Sequence, residues 1–156
     1  MSKHLFVTYF KAMILGAGAS LVIMAGPAAA QEPGTRADLE AQKAVLLTKA
    51  DLDALLPGAT NESRAPRTGS ARNLTLMQGG RVVGRASGGL NQNTTKAEGK
   101  WNVSDEGRYC VEIDWIWGSG STSEKWCASM YKLGNDYYAV TRQGADAPAW
   151  KQTISK

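Results

Sequence analysis

The chain has 156 residues, the length of one domain, with 18 Lys and Arg against 14 Asp and Glu and a formal charge of +4. The basic residues are scattered, with no cluster longer than Arg64…Arg67…Arg72, and a nucleic-acid partner, which needs a stripe or patch, is excluded. The single histidine is His4, so the chain beyond its N-terminal stretch lacks the imidazole of a Ser-His-Asp or Cys-His centre and of a His-ligated metal.

Residues 2–11 carry Lys3, His4 and Lys11 and no acid, and residues 12–26 carry no charge. Pro27 and Ala28-Ala29-Ala30 follow, then the polar Gln31-Glu32-Pro33-Gly34. A basic start, a short apolar run and small residues before a polar stretch form a secretory signal peptide. A membrane anchor needs about 20 apolar residues, and this glycine-interrupted run is shorter. The sequence therefore predicts a cleaved leader over 1–30, with the cut near Ala30/Gln31 and no transmembrane anchor left. The expected location is the periplasm or the exterior. The expected domains are an N-terminal tether and helix over 31–47 and a single β-rich domain over 48–156. Losing Lys3 and Lys11 lowers the formal charge from +4 to +2.

Gln31–Arg36 reads as a tether, and 37–49 has helix-forming composition without a strong cap. Thr48, three residues before Asp51, makes a shortened capping box. Ala50, Leu52, Leu55 and Leu56 then give a short helix its apolar face, and Pro57-Gly58 ends it. Residues 61–72 are polar and read as loop. Beyond them the pattern alternates. Asn73–Gln78 and Arg81–Ala86 flank Gly79-Gly80 as a hairpin. After a Gly/Asn/Thr loop over 88–95, strands are expected at 99–104, 108–117, 123–133 and 137–142, and 145–156 reads as a tail docking Trp150.

Arg108–Trp117 is the strongest strand, with Tyr109, Val111, Ile113, Trp115 and Trp117 on one face. If Gly118-Ser119 is a two-residue turn, glycine first as type II′ requires, Cys110 faces Cys127 and Glu112 faces Lys125. Two cysteines in an oxidising compartment form one structural disulfide, Cys110–Cys127. A redox pair would sit two residues apart. The expected fold is mainly β (α+β). A short N-terminal helix precedes about six antiparallel strands in a meander, as a small barrel or a curled open sheet.

Leu47-Thr48, Leu52, Leu55-Leu56-Pro57-Gly58, Gly99-Lys100-Trp101, Gly107-Arg108-Tyr109-Cys110, Trp126-Cys127 and Tyr137-Tyr138 occur in that order. Over about residues 47–142 this resembles the small exported bacterial proteins of domain of unknown function 995 (DUF995). The resemblance implies compartment and fold, and no activity. The Gly-x-Trp strand also resembles that of lipocalin- and avidin-like barrels.

Trp115 and Trp117, beside the run Gly118–Ser123, are candidates for stacking on a sugar or lining an apolar pocket, with Tyr109 on the same face. As alternating residues they equally suit a core, and Trp117, nearest the turn, is the better candidate for exposure. Glu112 and Asp114, two apart on one face, resemble the carboxylate pair of a glycosidase, but a solvated face with Glu112 opposite Lys125 explains them more simply. The expected function is a non-catalytic binding or interaction module of the bacterial envelope. Its partner is a small apolar or glycan ligand or an envelope protein. The alternative is a carboxylate-dependent hydrolase acting on envelope glycans. No cofactor or metal is expected.

Overall fold

The computed structural model describes residues 31–65, 68–87, 95–118 and 120–156. The expected leader, Ser119 and most of the loop expected at 88–95 lie outside them. Two short helices open the fold, α1 (Arg36–Ala41) and α2 (Lys49–Leu55), with a two-residue strand β1 (Val45–Leu46) between them. Thr48 caps α2 in a reciprocal box with Asp51, at the spacing the sequence displays. Thr35 and Asp38 form the same box for α1. Each Thr hydroxyl accepts from the N3 amide while the Asp carboxylate accepts from the cap. These hydrogen bonds hold both carboxyls below the ordinary aspartate range.

Eight strands then follow: β2 (Thr60–Arg64), β3 (Ala71–Leu76), β4 (Arg81–Ser87), β5 (Thr95–Val103), β6 (Tyr109–Trp117), β7 (Gly120–Leu133), β8 (Asp136–Val140) and β9 (Ala149–Ser155). Each pairs antiparallel with the next, and β9 also pairs with β2, so the meander closes into an eight-stranded barrel. Closure resolves the alternative left by the sequence in favour of the barrel.

Two expectations are corrected. Residues 61–72 are not a loop throughout, because β2 and the start of β3 occupy half of them. Their polar composition hides the period-two signal, since Asn61 and Ser63 take the inward positions normally filled by apolar side chains. Nor is 145–156 a docking tail, because β9 runs through it. Gln152 stands opposite both Ser63 of β2 and Tyr137 of β8. The gap between six expected strands and eight in the barrel comes from these two.

Closure converts alternation into inside and outside. Along β6, Tyr109, Val111, Ile113 and Trp115 are buried while Glu112, Asp114 and Ile116 are exposed. The inward residues pack with Leu74, Leu76, Val82, Ala97, Trp101, Ala128 and Met130 into one core. Helix α2 closes the end of the barrel at the β3–β4 and β5–β6 turns, inserting Leu52 and Leu56, both fully buried, into that core. At about 25 cal/mol per Å² of buried apolar surface, each such leucine contributes roughly 2 kcal/mol. A second cluster lies on the outer wall, where Leu39 of α1 covers Tyr131, Tyr138, Val140 and Ala149. Backbone bonds from Arg36 to Ala147 and from Ala37 to Ala145 hold α1 in place, 2.8 and 2.9 Å long. Glu32–Lys156 accordingly form one compact unit.

Two strand glycines make room for closure. A Cβ on Gly99 would lie 2.7 Å from Ile113 Cα and closer still to Glu112 O, and one on Gly84 would lie 2.6 Å from Leu74 Cδ2. Such absences of side chain mark the tight bends of small barrels. On the outer wall Cys110 and Cys127 are bonded across the β6–β7 pair, with Cα atoms 4.0 Å apart. The register that produces this also sets Glu112 opposite Lys125 and Trp117 opposite Gly120, as a turn at 118–119 requires.

Gly99→Ala is expected to cost about 3 kcal/mol, the upper range for overpacking, and to lower the thermal midpoint by roughly 10 °C, measured by circular dichroism. Replacing both Cys110 and Cys127 by alanine removes a crosslink over a short loop, worth about 3 kcal/mol. The variant should melt earlier than the oxidised protein and become insensitive to reductant.

Candidate functional site

The two ends of the barrel differ. The α2 end is filled by aliphatic and aromatic side chains. At the opposite end, beside the β6–β7 turn, the inward positions are Arg72 of β3, Trp115 and Trp117 of β6 and Glu124 of β7. Pairing places them together: Arg72 lies opposite Ala86, Trp115 opposite Thr122 and Glu124 opposite Ile113.

Arg72 and Glu124 are joined by a fork. Arg72 Nη1 donates to Glu124 Oε1 at 3.2 Å, and Nη2 meets Oε2 at 2.9 Å. Trp115 Nε1 donates to the same Oε2 at 2.9 Å. The Arg72 guanidinium lies 5.0 Å from the centre of the Trp115 ring. One carboxylate thus takes three charge-assisted bonds, and the indole offers both its N–H edge and its π face to the same ion pair. The pair keeps partial contact with solvent, with side-chain exposures of 19% for Arg72 and 34% for Glu124. Its contribution to stability is therefore reduced by screening, and both groups remain reachable from outside.

The three aromatic candidates do not share one environment. Trp117 is 44% exposed at the rim, Trp115 5% beneath it, and Tyr109 is wholly buried near α2. The Trp117 indole folds back over its cross-strand neighbour, since a Cβ on Gly120 would lie 2.8 Å from Trp117 Nε1. Tyr109 instead meets Trp126 edge to face, with centroids 5.2 Å apart. Its place is in the packed half of the core, away from the β6–β7 turn. Trp101 is buried and donates its indole N–H to Met77 O at 3.0 Å.

The carboxylates on the even face of β6 point outward. Glu112 pairs with Lys125 at 3.2 Å with both side chains more than half exposed, at 67% and 76%. Asp114 accepts a hydrogen bond from Ser123. A shallow groove of about 650 Å³ runs over this wall, lined by Gly80, Lys100, Cys110, Glu112 and Lys125 among others. Asp114 stands one residue pair beyond its lining. Among the described residues no three His, Cys, Asp or Glu side chains gather to hold a metal.

Sequence reasoning missed Arg72 and Glu124 as a unit because 52 residues separate them. One signal was available. Each is a charged residue in phase with apolar ones that follow it on its strand, Arg72 with Leu74 and Leu76, Glu124 with Trp126, Ala128 and Met130.

Burial pushes the Tyr109 hydroxyl well above its ordinary pKa, and the neighbouring Asn61 side chain only partly opposes this. Among the described residues neither Tyr109 Oη nor Asn61 Oδ1 makes a well-formed hydrogen bond. The unfolded chain releases this proton near pH 10, the folded chain only at higher pH. Below pH 10 the contribution to stability is fully present. Above it the unfolded state binds fewer protons, and stability falls by up to about 1.4 kcal/mol per pH unit. Tyr109→Phe should leave stability at pH 7 within about 1 kcal/mol of the parent and flatten that alkaline slope, read from urea unfolding at a series of pH values.

The family model of proteins of unknown function DUF995 matches residues 19–150, most of the chain. No curated protein and no solved structure matches it. With the order of motifs, the closed barrel and the single disulfide all in place, the chain belongs to the DUF995 family.

Proposed function

We propose that this DUF995 protein is exported and serves as a non-catalytic binding module, holding a glycan at the end of its barrel beside the β6–β7 turn. The observation that carries the reading is the Arg72–Glu124 fork set against the Trp115 indole, with half-exposed Trp117 above it. A sugar ring presents apolar C–H faces that stack on indoles and hydroxyl groups that both donate and accept. A carboxylate beside a guanidinium supplies the complementary acceptor and donors. Eight-stranded barrels of this size have room for one small ligand at most, which suits a mono- or disaccharide unit better than a long chain threaded through the interior.

A solely structural role explains the fork less well. An ion pair inside a barrel costs desolvation that aliphatic residues of similar volume avoid. The leader-like composition of residues 1–30 supports an address outside the cytoplasm, where envelope glycans are found. The outward, solvated placement of Glu112 and Asp114 lends no support to a carboxylate hydrolase, which needs its two carboxyls to flank one bond.

Titration with soluble envelope glycan fragments, followed by intrinsic tryptophan fluorescence, tests the proposal. Binding should quench or shift the emission, and Trp117→Ala should weaken affinity about tenfold while leaving the thermal midpoint unchanged, since an exposed rim indole contributes about 1–3 kcal/mol of stacking. An unaltered spectrum with every fragment up to millimolar concentration, or full affinity in the Trp117→Ala variant, would refute it.

A further inference from the structure

The outer wall of the barrel carries a feature that glycan binding at the mouth does not use. Arg85 of β4 and Lys96 of β5 stand directly opposite each other, both exposed and both facing outward. Like charges in directly opposed positions destabilise a sheet. Among the described residues neither has an ion-pair partner. The nearest acids along the same wall are engaged elsewhere: Glu98 lies 3.6 Å from Arg81, and Asp114 accepts from Ser123. Residues 88–94, which connect the two strands, contain no acid at all.

The next residue in this lateral row is apolar. Lys96 lies opposite Ile116 of β6, which is 46% exposed, and its chain neighbour Trp117 is 44% exposed. Two cations without an ion-pair partner among the described residues, an isoleucine and a tryptophan therefore stand at one end of the barrel, beside the β6–β7 turn. Arg64, exposed at the end of β2, adds a third cation near the same rim and donates to Gly69 O at 3.3 Å. A convex tip with apolar side chains, flanked by free cations, is suited to entering a surface rather than gripping a segment of chain. Tryptophan settles at the boundary between headgroups and hydrocarbon, isoleucine enters the acyl layer, and Arg and Lys meet the phosphates.

We propose that this end of the barrel docks on anionic phospholipid, with Ile116 and Trp117 inserted and Arg85 and Lys96 on the lipid phosphates. Charge complementarity selects the partner: the opposed Arg85 and Lys96 have no ion-pair partner among the described residues, and an anionic bilayer supplies many phosphates in one plane. The contact is peripheral and reversible. Each cation near such a surface contributes about fivefold in affinity, and the attraction weakens with salt because the charges are solvent-exposed. The inference shares only Trp117 with glycan binding, since Arg85, Lys96 and Ile116 face outward and do not touch the Arg72–Glu124 fork.

Co-sedimentation of the chain from Gln31, which contains the whole barrel, both core clusters and the disulfide, with phosphatidylglycerol–phosphatidylcholine vesicles tests it. The protein should pellet with these vesicles, stay in solution with pure phosphatidylcholine, and be released between about 0.05 and 0.5 M NaCl. The double variant Arg85→Gln/Lys96→Gln should lose about twentyfold in partitioning, given fivefold per cation. It should also melt no lower than the parent, because a repulsive pair is relieved, and keep any glycan affinity. Ile116→Ser should weaken the pelleting without altering its salt dependence. Equal partitioning onto neutral and anionic vesicles, or full partitioning of the double variant, overturns the proposal. So does binding of soluble polyglutamate without vesicle binding, or concentration-dependent self-association through this row in its place.

Discussion

The hydrogen bonding of β9 to two strands at once is the constraint on which this molecule depends. Through Ser63–Gln152 and Tyr137–Gln152, one residue of β9 stands between β2 and β8, and the sheet loses the edges those two strands would otherwise expose. Closure settles more than stability. In an open sheet, the two faces of a strand differ only by what packs on them. In a barrel of eight strands one face sees a confined interior and the other sees solvent. Every alternation in the sequence then becomes an address, and that is how Trp115 comes to lie inside while Asp114, one residue earlier, lies outside.

The interior is graded along its axis. At the α2 end, Leu52, Leu56, Leu76, Val82 and Met130 exclude water, and even the polar Tyr109 and Asn61 are held there by packing. Toward the opposite end, the side chains become larger, more polar and more exposed, from Trp115 to the Arg72–Glu124 fork to Trp117. Packing at the α2 end fixes the strands, and the strands hold the fork and the indole in a set geometry, which is the preorganisation that the proposed glycan site would use.

The outer wall is divided in a similar way. Over β7, β8 and β9 it is covered by α1 through Leu39. Over β6 and β7 it carries the disulfide and the Glu112–Lys125 pair. Over β4 and β5, at the end remote from α2, Arg85 and Lys96 face outward, opposed to each other and without an ion-pair partner among the described residues. An uncovered repulsive pair beside exposed Ile116 and Trp117 is costly for an isolated molecule, which is why it reads as a contact surface rather than as packing.

Much of this fold was legible in the residues. The run from Tyr109 to Trp117 carries its inner face openly, and the number of residues between the two cysteines sets the β6–β7 register once a tight turn is placed at 118–119. Thr48 and Asp51 mark the start of α2 three residues apart. These signals are local: period two, cap spacing and turn length are properties of short segments. What needed the tertiary structure was whatever depends on two distant segments meeting. Asn61 and Ser63 are polar residues on inward positions, so β2 carries no apolar alternation, and only pairing with β3 and β9 makes it a strand. Arg72 and Glu124 gain their meaning from each other, and Arg85 and Lys96 from standing opposed. A sequence records side-chain chemistry and its local period, whereas the partner of a charge across a closed barrel follows from shear and closure, which no single segment encodes.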